Sequence, residues 1–582
     1  MSQRLAVCFV TLVLVGPAPA QRAAYTPEQL SLIRAVSESE LSPDGETVAF
    51  VSDSTGALEL WTVPAAGGWP SQLTNLGEQV GEVRYSPDGK FLVFTSDEGG
   101  NERRDLYRVP AAGGKLEKLL GSPASESEPR FAPDGKRLAF TADPDPKRAF
   151  LFQLHVLDLD SGKTTQLTRE PLNVSTPVWS RDGNFLAVTR SGDDQKGEVL
   201  LVDARSGAKT EVPPPIKGGI LWPQAFSPDG KALLVIMRNP EGYEQLGLVS
   251  LEPGKEGKLP RPQDPVFIGP GKHDVTNAVW NRHGIFFAVN EGGKSALYLL
   301  REPRGEPVSI ELADGVAHGL SFDKEANRLA LLQEAVQRPA DVWVLDVAAG
   351  LRAGKSPVRC PAKQVTYSLM GGVVPGKLAA GKLEAYESFD KRKIEALVLE
   401  PPVKRLGTPP PAIVYVHGGP NSQVRYTFLP FFHVLTEAGF VVIAPNYRGS
   451  TGYGQAFQDL NNKDWGGGDL NDIEAAVKHF AKAGLIDPQR VGITGGSYGG
   501  YMTLMALSKK PDLFKVGVER YGMPDLVMDY MIAKSRFADW YETEMGNPRQ
   551  DAALFRERSA LPFLDDVKAP LRIFQGAGDT NV

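Results

Sequence analysis

The five residues Gly495-Gly496-Ser497-Tyr498-Gly499 have the types and spacing of a nucleophile turn. A serine hydroxyl is exposed for attack when a sharp strand-to-helix turn pushes it outward, and only small residues fit beside such a turn. The flanks agree: Arg490 to Thr494 is strand-like, and Tyr501 to Leu507 is helix-like. Ser497 is therefore the candidate nucleophile for acyl transfer. That chemistry needs two N–H donors for an oxyanion, a base, and a carboxylate to orient the base. In a fold built on this turn, one donor follows the nucleophile and the other sits on the loop after an early strand. Tyr498 fills the first place. Gly419 fills the second, in His417-Gly418-Gly419-Pro420 just past the apolar run Ala412 to Val416. The acid is expected on a loop after a later strand, and Asp579 lies just beyond Leu571-Arg-Ile-Phe-Gln575.

The base is missing from this set. The histidines are His155, His273, His283, His318, His417, His433 and His479, and none follows Ser497. His417 precedes the serine on the oxyanion side, so it is not expected to be the base. The expectation is a truncated sequence, ending three residues after Asp579 and inactive or nearly so as it stands. Tyr501, Trp540 and Tyr541 are candidates for lining the pocket of the residue before the cut, with core packing as the competing role.

Around this site, strands and helices alternate. Ala412 to Val416 and Phe440 to Ala444 are continuous apolar runs, as for strands covered on both faces. Phe431 to Ala438 and Leu470 to Phe480 read as helices, and Phe514 to Val518 as a further strand. The pattern predicts an α/β-hydrolase domain with a mostly parallel sheet, over residues 373–582 and incomplete at its C-terminal end.

The preceding part is a repeat array. Leu41-Ser-Pro-Asp-Gly45 returns as Tyr85 to Gly89, Phe131 to Gly135, Trp179 to Gly183 and Phe226 to Gly230, then in degraded form at Trp280 to Gly284 and Phe322 to Ala326. Each copy joins short alternating strands at a period of about 45 residues. Such units bury their faces only against neighbours, which predicts a β-propeller of about seven blades over residues 21–372. The glycine-rich stretch between Thr366 and Leu383 marks the boundary.

The N-terminus reads as a signal peptide of residues 1–20: Arg4, an apolar run from Leu5 to Val15, and Ala18-Pro19-Ala20. An exported protein, periplasmic or secreted, is expected, with no membrane span. Of the two cysteines, Cys8 would leave with the signal, so Cys360 has no intrachain partner. Net charge is −6 without a basic stripe, which argues against nucleic acid. No metal pattern is present and no cofactor is expected.

Together these pieces resemble the prolyl oligopeptidase family of serine peptidases. The resemblance is carried by the Pro-Asp-Gly blades, Val416-His-Gly-Gly-Pro420, Asn446-Tyr-Arg-Gly-Ser-Thr-Gly-Tyr-Gly454, Trp465-Gly466, Ile486-Asp-Pro-Gln-Arg490, the elbow through Tyr501, and Arg558-Ser559. It is similar to the dipeptidyl-peptidase and acylaminoacyl-peptidase branches in particular. It implies short peptide substrates, limited in size by the propeller, and leaves homo-oligomerisation open. It also makes Glu98 and Glu102 candidates for holding a substrate amino terminus, against the simpler role of a solvated loop. An esterase on the same scaffold, or a non-catalytic propeller binding protein, are the competing functions.

Overall fold

The computed structural model describes residues 24–101, 103–121, 123–143, 151–192, 196–252, 254, 259–269, 271–368, 372–403, 408–577 and 579, with the backbone alone described over 533–539. The expected signal peptide and Glu102 lie outside them. The described residues form two units, one of residues 34–334 and 340–368, the other of 24–33, 335–339 and the residues from 372 on.

The first unit is seven antiparallel sheets, each a path of four strands continuous in sequence. The first begins Val36–Leu41, Thr47–Ser52, Glu59–Pro64, and the last ends Arg338–Asp346, Ala362–Gln364. The first strands of successive sheets touch all the way round, Val316–Phe322 meeting Val36–Leu41, so the sheets are the blades of a closed seven-bladed propeller. Among the described residues, no strand is exchanged between the first and last blades. Instead Leu41 N–H donates to Ser321 Oγ at 2.9 Å, and Val36, Val48, Ala330, Leu332 and Val342 share one core.

The repeated phrase does more than turn the chain. Ser86 Oγ donates to Asp88 at 2.7 Å and accepts Phe91 N–H at 3.0 Å, while Asp88 also accepts Lys90 N–H at 3.1 Å. Ser42, Ser180 and Ser227 repeat this pattern. The closing glycine takes φ near +70°, as at Gly89 (73°) and Gly135 (70°), a conformation that costs glycine least. The third blade has Ala132 in the serine's place, so the Arg137 N–H lacks a hydroxyl acceptor there. Ala132→Ser is expected to stabilise the propeller by about 1 kcal/mol, the net worth of one hydrogen bond. Thermal unfolding of the two proteins checks it, and an unchanged midpoint would show that the hydroxyl adds nothing.

Each first strand also carries a bulge, a feature the repeat phrase did not reveal. Glu82, Glu128 and Thr176 sit in bulges at φ of 53°, 55° and 55°. A side chain from the preceding blade satisfies each exposed N–H. Glu38 accepts from Glu82 (2.7 Å), Glu82 from Glu128 (2.9 Å), and Glu128 from Thr176 (2.8 Å). Glu98 is exposed, 3.8 Å from Lys118.

The second unit begins with helix α1 (Pro27–Ser31), capped by a reciprocal Thr26–Gln29 pair. The sequence reading assigned this segment to the propeller span. The structure differs: Tyr25 and Leu30 are buried with Leu378 and Phe428, and Ala24 N–H donates to Glu437 at 2.7 Å. The sheet is built from β1 (Gly381–Glu387), β2 (Lys393–Leu399), β3 (Ala412–Val416), β4 (Val441–Asn446), β5 (Val491–Gly496), β6 (Val516–Arg520) and β7 (Leu571–Phe574). Its order is β1-β2-β4-β3-β5-β6-β7, antiparallel at β1-β2-β4 and parallel thereafter. Its longer helices are α2 (Pro430–Glu437), α3 (Gly468–Lys482), α4 (Tyr498–Lys509) and α5 (Leu526–Glu544). Strand β6 starts two residues later than its apolar run, because Phe514 turns into the core. The 19-residue helix α5 was not anticipated at all.

Candidate active site

Strand β5 is buried along its whole length and α4 leaves it at once. Ser497 alone carries the reversal, at φ 56° and ψ −126°, a region that residues with a β-carbon avoid. Its N–H donates to Arg520 O at 3.0 Å, and its carbonyl accepts Gly500 N–H at 2.8 Å and Tyr501 N–H at 3.0 Å. The surrounding glycines are required by space. A β-carbon would lie 2.5 Å from Val416 O at Gly495, 2.1 Å from the same oxygen at Gly499, and 2.6 Å from Arg520 O at Gly500.

The loop after β3 runs beside this turn. A β-carbon on Gly418 would come 3.2 Å from Gly496 O and 3.5 Å from Ser497 Cβ. Three groups have no hydrogen-bond partner among the described residues: Ser497 Oγ, Tyr498 N–H and Gly419 N–H. Asp579 is exposed on the loop beyond β7, its N–H donating to Gly576 O at 3.2 Å. That loop leaves the sheet two strands along from the nucleophile strand.

No imidazole bonds Ser497 among the described residues. His417 is buried, with Nδ1 2.7 Å from Gly418 O and Nε2 3.0 Å from Ser450 Oγ. It stacks on Tyr447 at 4.3 Å. Burial pushes its pKa down to about 4, so it is a neutral ring that shapes the loop. His433 is also fully buried, its Nε2 2.6 Å from Val336 O, and burial pushes it down to about 4 as well.

These two depressed values have a consequence for stability. Each neutral ring adds stability that is present above about pH 6.5 and lost as pH falls towards 4, where only the unfolded chain takes up the proton. The full effect is ~3 kcal/mol apiece. Buried Asp469 and Glu544, both pushed up to about 7, act in the opposite sense. The histidine contribution is therefore read as a difference. The stability gap between wild type and His433→Gln is expected to shrink from pH 7 to pH 4 in urea titrations. A constant gap would show that His433 is not held neutral.

Two of the three pocket candidates are core residues. Tyr501 is fully buried and donates to Arg558 O at 2.7 Å; Tyr541 is buried and donates to Leu526 O at 3.2 Å. Both belong to the buried core cluster of the second unit and pack against Trp465. Trp540 is only partly buried, and its Nε1 donates to Asn421 Oδ1 at 3.0 Å, two residues beyond Gly419.

Sequence reasoning missed the supports behind the turn. Asp469 and Asp472 lie on the buried face of α3, beside Ile473, Ala476 and Phe480. Carboxylates on the apolar stripe of a helix were the available signal. Asp472 forms a fork with Arg448 at 2.9 and 2.8 Å and accepts from Ser388. This joins the β1–β2 hairpin to the loop after β4. Asp469 accepts the Tyr498 hydroxyl. Glu519, raised by burial, accepts Gly522 N–H behind the elbow.

Fold and site geometry together define an α/β-hydrolase fold in the second unit and a seven-bladed propeller in the first. Comparison with known proteins agrees. Residues 427–582 match the prolyl oligopeptidase family and residues 34–150 the TolB beta propeller domain. The chain thus carries a domain of the prolyl oligopeptidase family, a family of serine peptidases.

Among curated relatives, it is 38% identical over 179 residues to dipeptidyl aminopeptidase BIII of Pseudoxanthomonas mexicana, 30% of this chain and 26% of that one. It is 24% identical over 363 residues to dipeptidyl-peptidase 5 of Porphyromonas gingivalis, 60% of this chain and 49% of that one. The chain thus aligns with about a quarter to a half of these relatives' lengths. Among solved structures, a puromycin hydrolase superposes with a TM-score of 0.79 at 19% identity, covering 96% of this chain and 89% of that one. Pyrococcus horikoshii acylaminoacyl peptidase superposes with 0.72 at 20% identity, covering 96% and 88%. At such identities the likeness is one of fold.

Proposed function

We propose that the protein is an exported serine peptidase that hydrolyses short peptides through an acyl-enzyme. One observation carries the reading: the strained Ser497 presents a hydroxyl with no partner among the described residues, beside two backbone N–H groups equally without one. In this reading Ser497 Oγ attacks the scissile carbonyl, and the oxyanion is held by Tyr498 N–H and Gly419 N–H. Asp579 orients the base that takes the serine proton and returns it to the leaving amine. Water then hydrolyses the ester and frees Ser497. Trp540, bonded to Asn421, is the pocket candidate nearest the oxyanion loop in this reading. The propeller restricts turnover to short peptides, a part that rests on the family resemblance. Export, to the periplasm or the medium, rests on the basic, apolar and small-residue pattern of residues 1–20.

No imidazole of these 582 residues bonds Ser497 among the described contacts, so on their own they are expected to acylate only slowly. Short peptide anilides should be cleaved and folded proteins spared, with a fluorophosphonate labelling Ser497. Turnover of short acyl esters without any peptide cleavage would replace the peptidase reading with an esterase.

A further inference from the structure

The elbow is braced by a buried carboxylate that the acyl-transfer chemistry does not use. Asp469 lies in the first turn of α3, with no exposed surface. It accepts three hydrogen bonds: from the Tyr498 hydroxyl, from Leu470 N–H at 2.7 Å and from Gly466 N–H at 3.2 Å. It forms no ion pair among the described residues. Asp464, of like sign, acts on it, and its carboxylate in turn acts on the hydroxyls of Tyr447, Tyr498 and Tyr501.

The Tyr498 ring that Asp469 holds is enclosed. It meets the edge of Trp465 at 5.1 Å, Tyr501 at 5.3 Å and Tyr447 at 6.0 Å. Tyr447 stacks on His417 at 4.3 Å, and its hydroxyl donates to His417 O at 2.9 Å. One aromatic box therefore grips both sides of the site. Tyr498 carries one unpartnered N–H, and His417 opens the loop that carries the other, at Gly419.

We propose that Asp469 is a positioning residue for the oxyanion hole, holding the Tyr498 ring against Tyr447 and Trp465 so that the Tyr498 and Gly419 N–H groups converge on one point. The inference rests on reading those two groups as the oxyanion donors. A carboxylate that only capped α3 would need Gly466 and Leu470 but not the tyrosine. The Tyr498 bond spans 29 residues of sequence and ties the helix to the residue after the nucleophile. Burial pushes the Asp469 carboxyl up to about 7, and the Tyr498 hydroxyl is the foremost group opposing that rise. The acid and the tyrosine thus depend on each other.

The test uses Asp469→Ala, Asp469→Asn and Tyr498→Phe in the protein as its gene encodes it. Readouts are kcat and KM on a peptide anilide, and the inhibition constant of a peptidyl trifluoromethyl ketone, whose hemiketal oxygen occupies the oxyanion hole. Asp469→Ala and Tyr498→Phe are expected to lower kcat by roughly ten- to a hundredfold, as for a slightly misplaced donor. KM should stay within about twofold, and ketone affinity should fall by the same factor as kcat. The double variant should be no worse than either single one, since both break one bond. Asp469→Asn, which keeps an acceptor for the hydroxyl, should recover most of kcat.

Folded variants with wild-type kcat overturn the proposal, as does a fall in kcat without loss of ketone affinity. Should Asp469→Ala fail to fold, Tyr498→Phe, which removes a single hydroxyl, decides the matter by the same two criteria. Failure of the wild type to cleave any peptide would instead bring down the peptidase reading and this inference together.

Discussion

Ser497→Ala is expected to lower peptide hydrolysis by at least ~10⁴-fold, leaving only what binding and the oxyanion donors supply. The same change should abolish fluorophosphonate labelling, because among the described residues no other serine takes a positive φ. Folding should survive. The side chain is partly exposed and its hydroxyl bonds nothing among the described residues, so its removal leaves no buried group unpaired. The strain at φ 56° remains in the alanine variant. Ser497→Gly should relieve it and raise stability by about 1 kcal/mol while being equally inactive. The pair of variants thus separates two properties of one residue, chemistry in the hydroxyl and strain in the backbone. Peptide cleavage by Ser497→Ala at the wild-type rate would remove Ser497 from the mechanism.

Gly499→Ala is expected to be the most damaging single methyl in the second unit. Its β-carbon would lie 2.1 Å from the Val416 carbonyl oxygen and 2.9 Å from its carbon. Neither is the free end of a side chain. Both belong to β3, which pairs with the nucleophile strand through Val416 and Gly495. Relief must come from parting the strand from the start of α4, at a cost of more than about 4 kcal/mol, the range reserved for severe core damage. The expected result is little soluble protein, or a large drop in the urea midpoint. Gly376→Ala is the matched control, since a methyl there meets nothing within 4 Å. Equal stability of the two variants would show that the elbow can open without cost.

The legible part of the molecule was that with local causes. The phrase repeats because four blades close this turn with their own serine and aspartate, two residues apart. Seven copies were enough to predict seven blades. The bulges at Glu82, Glu128 and Thr176 were not legible, because the group that satisfies each one belongs to the neighbouring blade. Glu38 reaches Glu82 across 44 residues. Helix α1 falls in the other unit for the same reason: its partners, Leu378 and Phe428, lie about 350 and 400 residues further along. At the site, Tyr501 and Tyr541 looked available for substrate because aromatic residues near a nucleophile read alike whether they face a pocket or a core. Their hydrogen bonds to Arg558 and Leu526 carbonyls decide for the core.

The sequence by itself determined the elbow, the glycine loop after β3, the alternating order of the second unit and the period of the first. Each is encoded within a few consecutive residues whose steric and turn preferences act locally. Only the tertiary structure decided which of those residues are free to act. It showed His417 to be a neutral, buried ring held by Gly418 and Ser450, and it brought Asp469 under Tyr498. It also set the Val416 carbonyl against Gly499, so that the glycine is a requirement of packing as much as of turn geometry. The physical reason is range. Backbone conformation is chosen by neighbours in the chain, whereas burial, pKa and the freedom of a hydroxyl are set by whatever the fold brings alongside.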